Sequence, residues 1–394
     1  METDKSAAQM PISSLFILHF GANTGYAIAP LEELFFDTGL ELAGGDVGRV
    51  HFAYPNFDKG YPTNLPQGLK NLLKFDFKHP EREAINDLAK YVQAHEIRLV
   101  LAFDIQPIHA MFRPLRKSGV RAILAYWGAP ISSRMPLWKL TIKRLQIALS
   151  RSKVDGLIFE SQAMADLAEF GRGVPAEMID VVPLGVDTTI FRPSRTDYVH
   201  EALGLPRDRK VVIYVGHMEK RKGVDSLIKS ALELLADRRR SDVCFLIVGN
   251  RGEESKEYER MCHESGIEHL IHFAGYRNDL PQIYPGCFCG VIPSTGWDSF
   301  PRSSLEMAAC GLPVIASRLQ GLPEAVLDRQ TGLLFEPGNV KELADCIATL
   351  LNDPELATKY GRQGRERCED ELNLSDHRRR LLEVFRKRLG IKSA

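Results

Sequence analysis

Short apolar runs bounded by Gly, Pro, Asp and Ser alternate along the chain with longer stretches whose apolar positions recur every three to four residues. The runs predict strands, the longer stretches predict helices, and their alternation is the pattern of parallel sheets joined by crossover helices. In the first half the strand candidates are residues 15–19, 47–53, 99–103, 122–125 and 156–159, with helices over 30–38 and 81–95. Pro183-Leu184-Gly185-Val186-Asp187, followed by Phe191-Arg192-Pro193-Ser194, breaks the alternation and reads as a linker. It resumes with 211–215, 243–248, 271–274, 290–292 and 314–315, which are apolar apart from His272, as strands covered on both faces are. A basic helix over about 376–389 closes the chain, with Ser375 as its expected N-cap. The pattern predicts an α/β protein of two doubly wound, Rossmann-like domains facing across a cleft, residues 1–190 and 191–372, followed by a terminal helix within 373–394. Ligands of such sheets bind at the carboxyl ends of the strands, so the cleft is the expected site.

The 394 residues suffice for two domains with cores of their own. Lys and Arg total 51, as do Asp and Glu, a balance that argues against nucleic acid as the partner. No window approaches the roughly 20 uninterrupted apolar residues of a membrane span. The first ten residues lack a secretory pattern, and the seven cysteines, all in the second half, fit no disulfide framework; a cytoplasmic protein is expected. Cys287 and Cys289 flank an aromatic at strand period and read as small buried residues rather than metal ligands.

The chemistry concentrates in Pro293-Ser294-Thr295-Gly296-Trp297-Asp298-Ser299-Phe300-Pro301-Arg302-Ser303-Ser304-Leu305-Glu306. A strand ends at Pro293, a loop carries Asp298, and a helix begins near Pro301. The open N–H groups of a helix start suit a diphosphate, and carboxylates accept pairs of vicinal hydroxyls. Glu306 follows Asp298 by eight positions, inside the helix, and Gly311-Leu312-Pro313-Val314 leads into the next strand.

This stretch resembles the signature of the family 4 glycosyltransferases of the GT-B fold, in which two acids separated by seven residues precede a helix and an Ala-x-Gly-x-Pro-Val strand. The resemblance implies a retaining transferase using a nucleotide diphosphate sugar, and a C-terminal helix, 373–394, that crosses back onto the N-terminal domain. Glu306 would hold the ribose, Asp298 would approach the hexose, and the amides of Ser299, Phe300, Pro301 and Arg302 would serve the sugar and phosphates as far as each has one. The family usually has Glu where Asp298 stands. Gly216-His217-Met218-Glu219-Lys220-Arg221-Lys222-Gly223 resembles the family's phosphate-clamping segment: Lys222 matches, whereas His217 puts an imidazole in place of an Arg and its fixed bidentate charge. Tyr276 and Arg277 resemble the base-binding loop. Asp298 and Lys222 are the expected catalytic pair.

The N-terminal domain, expected to bind the acceptor, resembles the family less. Gly21-Ala22-Asn23-Thr24-Gly25-Tyr26 stands in place of a Gly-Gly loop, making Gly25 a candidate for the donor phosphates and Asn23 for the acceptor side. Trp127 stands near the place of a family histidine and is a candidate sugar wall. His19 reads as a core or loop histidine. Residues 133–153 carry six cations, no acid and an apolar stripe at Trp138, Ile142, Leu145 and Leu149. That stripe predicts a helix packed on its sheet, the alternative being a helix at a membrane surface.

No Asp-x-Asp motif occurs, so Lys222 and helix N-termini are expected to neutralise the diphosphate, without a metal or other cofactor. The expected partners are a nucleotide sugar carried on UDP or GDP and an acceptor hydroxyl. The alternative is a GT-B-like binding or scaffold subunit without catalysis, suggested by Asp298, His217 and Trp127. A nicotinamide-dependent oxidoreductase lacks its glycine fingerprint here.

Overall fold

A computed structural model describes residues 11–24, 28–129, 131, 134–238, 242–249 and 252–391. Contacts divide the chain into two units. One comprises residues up to 160, with 165–182 and those from 378 onward; the other comprises 161–164 and 183–377.

The first unit holds a seven-stranded parallel sheet of β1 (Ser13–Ile17), β2 (Val50–Tyr54), β3 (Leu72–Lys74), β4 (Ile97–Phe103), β5 (Ala122–Trp127), β6 (Gly156–Phe159) and β7 (Ile179–Val181). Their spatial order is β3-β2-β1-β4-β5-β6-β7. Its longer helices are α1 (Ala29–Leu42), α2 (Arg82–Ala94) and α3 (Leu137–Leu149). β1 and β2 are wholly buried, and Phe16 stacks on Phe35 of α1 and packs at a tilt against Phe52 of β2. Val47–Arg49, expected as the start of β2, is instead a 3-10 turn because Asp46 accepts the Gly48 N–H and caps it.

The second unit holds a six-stranded parallel sheet of β8 (Lys210–Val215), β9 (Val243–Val248), β10 (Ile271–Gly275), β11 (Cys289–Ile292), β12 (Val314–Ser317) and β13 (Gly332–Phe335), in the order β10-β9-β8-β11-β12-β13. With it run α4 (Val224–Arg238), α5 (Glu253–Glu264), α6 (Arg302–Ala309), α7 (Val340–Asn352), α8 (Pro354–Asp370) and the start of α9 (Leu374–Leu389). Ile228, Leu234 and Ile347 pack with Phe245 and Ile247 in the core. Cys289 is buried among them, and all seven cysteines are free thiols.

The linker residues Gly185 and Val186 sit against the start of α9: the Gly185 N–H donates to His377 Nδ1 at 3.1 Å, and Val186 bridges to Asn373. Asn373, not Ser375, caps this helix, accepting the Asp376 N–H on Oδ1 at 2.8 Å, while Ser375 donates to the same oxygen. The later part of α9 belongs to the first unit, where Arg388 Nε and Lys387 Nζ lie 2.8 and 2.7 Å from the buried Asp180.

The apolar stripe of α3 does not pack on the sheet as expected. Trp138, Ile142, Leu145 and Leu149 are exposed, and the helix meets the unit through Leu140, Lys143 and the buried Ile147 on its opposite side.

Candidate functional site

In a doubly wound sheet, the place where neighbouring strands send their chains in opposite directions leaves a crevice at the carboxyl edge. In the second unit that place lies between β8 and β11. The segment after β8 carries Gly216, His217 and Lys222, and the segment after β11 carries Asp298.

Backbone contacts lock these two segments together. The N–H groups of Thr295 and Gly296 both donate to the Arg221 carbonyl, at 2.8 and 3.0 Å, and Arg221 Nη1 donates to the Trp297 carbonyl at 2.7 Å. Gly296 sits where a Cβ would come 2.5 Å from that of Arg221. As a result Lys222 Nζ lies 2.8 Å from Asp298 Oδ2, and the same oxygen accepts the Ser294 hydroxyl at 2.6 Å. Ser317 at the end of β12 in turn donates to the Ser294 carbonyl at 2.6 Å, and Gln320 accepts the Asp298 N–H at 3.0 Å. Asp298 is almost fully buried and Lys222 mostly so. Two opposite charges are thus held away from water by a shell of hydrogen bonds, the condition under which a buried pair is tolerated.

Beyond Asp298 the backbone runs through the buried Ser299 and Phe300 to Pro301, the N-cap of α6. Pro301 itself has no N–H. Its carbonyl accepts the Ser304 hydroxyl and N–H, at 2.7 and 3.0 Å, and Arg302 opens the helix half-exposed. Glu306 lies one helical turn farther, about 6 Å along the axis. It is buried, and Tyr284 donates its hydroxyl to Glu306 Oε2 at 3.1 Å.

The other candidates in this unit line the same sheet edge. Gly216 follows β8 and donates to the Val248 carbonyl; His217 is exposed, its carbonyl accepting the Tyr214 hydroxyl. Burial, and then the Asp298 charge, push the Tyr214 hydroxyl pKa well up, so it remains a donor. Tyr276, 60% exposed, and Arg277 follow β10. Arg277 forks onto Asp279, which also accepts the Tyr198 hydroxyl at 2.7 Å, so its guanidinium is held by a carboxylate within the unit. The Arg277 pKa is raised by those hydrogen bonds and that of Asp279 is lowered by them.

In the first unit Gly25 lies outside the described residues. Asn23, at φ 60°, donates from Nδ2 to the carbonyls of Lys59 and Tyr61 and accepts the N–H and hydroxyl of Thr63 on Oδ1. Both ends of its amide are spent on joining two loops. Trp127 Nε1 donates to the Ala129 carbonyl at 2.9 Å, and its ring lines a cavity of about 260 Å³ with Pro107, Ile147, Phe159 and Val174.

The first sheet changes direction between β1 and β4, and there the structure sets His19, read from the sequence as a core or loop histidine, beside Asp104, which the sequence did not single out. Asp104 directly follows β4 with φ 55°, a conformation uncommon outside glycine, and accepts the N–H groups of Gly128 and Ala129 on Oδ1 at 2.7 and 2.8 Å. His19, two residues past β1, brings Nδ1 to 3.9 Å from Asp104 Oδ2. Burial pushes the Asp104 carboxyl up to about 6 despite those two N–H bonds, and burial with the Lys78 charge lowers the His19 pKa. Tyr284 and Tyr214 in the second unit were likewise not anticipated. Among the described residues, no group of three or more His, Cys, Asp or Glu side chains is arranged to hold a metal ion.

Residues 196–367 match the family described as Glycosyl transferases group 1. The chain is 35% identical over 211 residues to a D-inositol 3-phosphate glycosyltransferase of Acidothermus cellulolyticus, a match covering 52% of this chain and 46% of that protein. It is 29% identical over 328 residues, 80% of this chain and 83% of the relative, to a GDP-mannose-dependent alpha-(1-6)-phosphatidylinositol monomannoside mannosyltransferase of Mycolicibacterium smegmatis. The chain spans about half the length of most of the curated relatives it matches. In fold it resembles a glycosyltransferase from Rickettsia africae, with a TM-score of 0.78 at 15% identity covering 97% of this chain and all of that one. It also resembles Anabaena HepE in complex with UDP, with a TM-score of 0.76 at 20% identity covering 95% and 100%. The chain thus has the GT-B fold and carries, at residues 196–367, a domain of the glycosyl transferases group 1 family.

Proposed function

We propose that this protein is a retaining, metal-independent glycosyltransferase that moves a hexosyl unit from a nucleotide diphosphate sugar to an acceptor hydroxyl. The observation that carries the reading is the Lys222–Asp298 pair at the β8/β11 switch point, one loop away from the start of α6. A diphosphate at that edge meets the Lys222 ammonium and the N–H groups of a helix start, the two elements that bind anions most directly. UDP is bound in the HepE structure, and the mannosyltransferase relative is GDP-mannose-dependent; both support a nucleotide sugar here.

In this reading Glu306 accepts the ribose hydroxyls and Asp298 a hydroxyl of the hexose. When the donor arrives, Lys222 turns from Asp298 to the phosphates and stabilises the charge that develops as the bond between the anomeric carbon and the phosphate oxygen breaks. The acceptor oxygen attacks the same face, and its proton passes to the departing phosphate, so configuration is retained and no side-chain nucleophile is required. The first unit receives the acceptor. The setting is cytoplasmic, with residues 133–153 against a membrane surface.

The test incubates the protein with UDP-, GDP- and ADP-hexoses and a panel of hydroxyl acceptors, with and without EDTA. Nucleotide release, insensitive to EDTA, and a product of unchanged anomeric configuration by NMR are expected. Binding without turnover for every donor would instead assign the chain to the scaffold class.

A further inference from the structure

Helix α3 stands apart from every other helix of the first unit in what it leaves in water. Leu137, Trp138, Ile142, Leu145 and Leu149 are 82, 63, 58, 58 and 73% exposed, while Ile147 is its one fully buried side chain. At 100° per residue Trp138, Ile142, Leu145 and Leu149 fall within roughly 60° of one another, and the inward residues Leu140, Lys143 and Ile147 lie on the far side. The stripe is therefore a narrow apolar ridge directed outward, not the edge of a core face.

The charges around the ridge have one sign. Between Ile131 and Val154 there are six cations, Arg134, Lys139, Lys143, Arg144, Arg151 and Lys153, and no acid, in a chain whose formal net charge is zero. Lys139 and Arg144 flank the ridge on opposite sides, and Lys139 Nζ lies 5.2 Å from the centre of the Trp138 ring. Long basic side chains beside a row of Leu, Ile and Trp form the arrangement that lies in a lipid interface, the apolar ridge entering the acyl boundary and the cations reaching the headgroups. A second copy packed ridge to ridge would set the flanking cations Lys139 and Arg144 against cations of the same sign. The helix is also too short and too charged to cross a bilayer, and no helix among the described residues is long and apolar enough to do so.

We infer that α3 docks the protein onto an anionic lipid bilayer, with Trp138, Ile142, Leu145 and Leu149 inserted and Lys139, Arg144 and Arg151 on the headgroups. This deepens the membrane contact of the proposed function by naming the lipid chemistry and the face. It rests on the transferase reading only for placing the acceptor near a bilayer.

The test floats the full chain, without nucleotide sugar, on vesicles of phosphatidylcholine alone and of phosphatidylcholine mixed with phosphatidylglycerol. Binding to the mixed vesicles at least about tenfold tighter than to the neutral ones, and release by salt, are expected. The exposed pairs Ile142→Glu/Leu145→Glu and Lys139→Glu/Arg151→Glu should each cut binding about tenfold while melting like the wild type. The emission of Trp138 should shift to the blue on anionic vesicles and the shift vanish in Trp138→Phe. No vesicle binding, equal binding to neutral vesicles, or binding untouched by both pairs would overturn the inference. So would a dimer by light scattering that Ile142→Glu/Leu145→Glu dissolves, which assigns the ridge to a second copy, or salt-sensitive capture by polyglutamate without vesicle binding, which assigns it to an acidic protein. Donor titration is a separate measurement, so failure of either reading leaves the other standing.

Discussion

Gly223 lies so close beneath Pro293 that a Cβ on it would come 1.8 Å from the Pro293 carbonyl oxygen, and its φ of 71° is one that side chains rarely adopt. Lys222 directly precedes this contact, and Pro293 leads into the loop that carries Asp298, so the close approach sets the spacing of the ion pair. Gly223→Ala should destabilise the protein by more than about 2 kcal/mol in urea denaturation and weaken donor binding at least tenfold.

Lys222 and Asp298 form a mostly buried pair, so removing one partner leaves an uncompensated charge. Lys222→Ala should cost about 3 kcal/mol of stability, whereas Lys222→Met with Asp298→Leu, which removes both charges at similar volume, should recover most of it. Donor binding should be lost in both. Recovery of stability without recovery of binding separates the site's function from its part in the fold, and both are read by calorimetry.

Tyr284 donates to Glu306 at 3.1 Å, and a glutamine can still accept that bond. Glu306→Gln should therefore fold normally but bind nucleotide 10- to 100-fold more weakly, about 1.5–3 kcal/mol for hydrogen bonds to a charged group. Competitive displacement of a fluorescent nucleotide analogue checks this.

Asp104 carries its carboxyl pKa up to about 6 in the folded chain, against 3.8 for the ordinary side chain. The folded state then holds the proton more tightly than the unfolded one between these values. The associated stability is fully present below about pH 4 and declines as the pH rises through 6, by at most about 3 kcal/mol. Asp104→Asn should flatten this slope between pH 4 and 7, read from urea midpoints.

The central strands were legible because both their faces are covered: residues 156–159 and 243–248 form β6 and β9 at the expected bounds. The strands that escaped, β3, β7 and β13, are all at sheet edges; Lys74 and Asp180 interrupt the apolar run in β3 and β7, whereas β13 is apolar throughout and its omission has no such cause. The acidic motif was legible because its elements are consecutive: strand end, loop carboxylate, Pro cap and helix. The pairing of Lys222 with Asp298, which spans 76 residues, was expected from the family resemblance rather than from spacing, whereas that of His19 with Asp104 across 85 depends on strand order and was not expected. Asp104 could have been found by asking which residue follows the strand beside β1. The direction of the α3 ridge was not legible, since periodicity identifies an apolar face without identifying what lies against it.

The most direct measurement is an isothermal titration of the wild-type chain and of the Lys222→Met/Asp298→Leu variant with UDP- and GDP-hexoses. The wild type should bind at least one of them in a single-site isotherm, and the folded variant should bind neither. Equal isotherms for the two proteins, or no heat from the wild type with any donor, would contradict a nucleotide sugar held at the switch point of the second sheet.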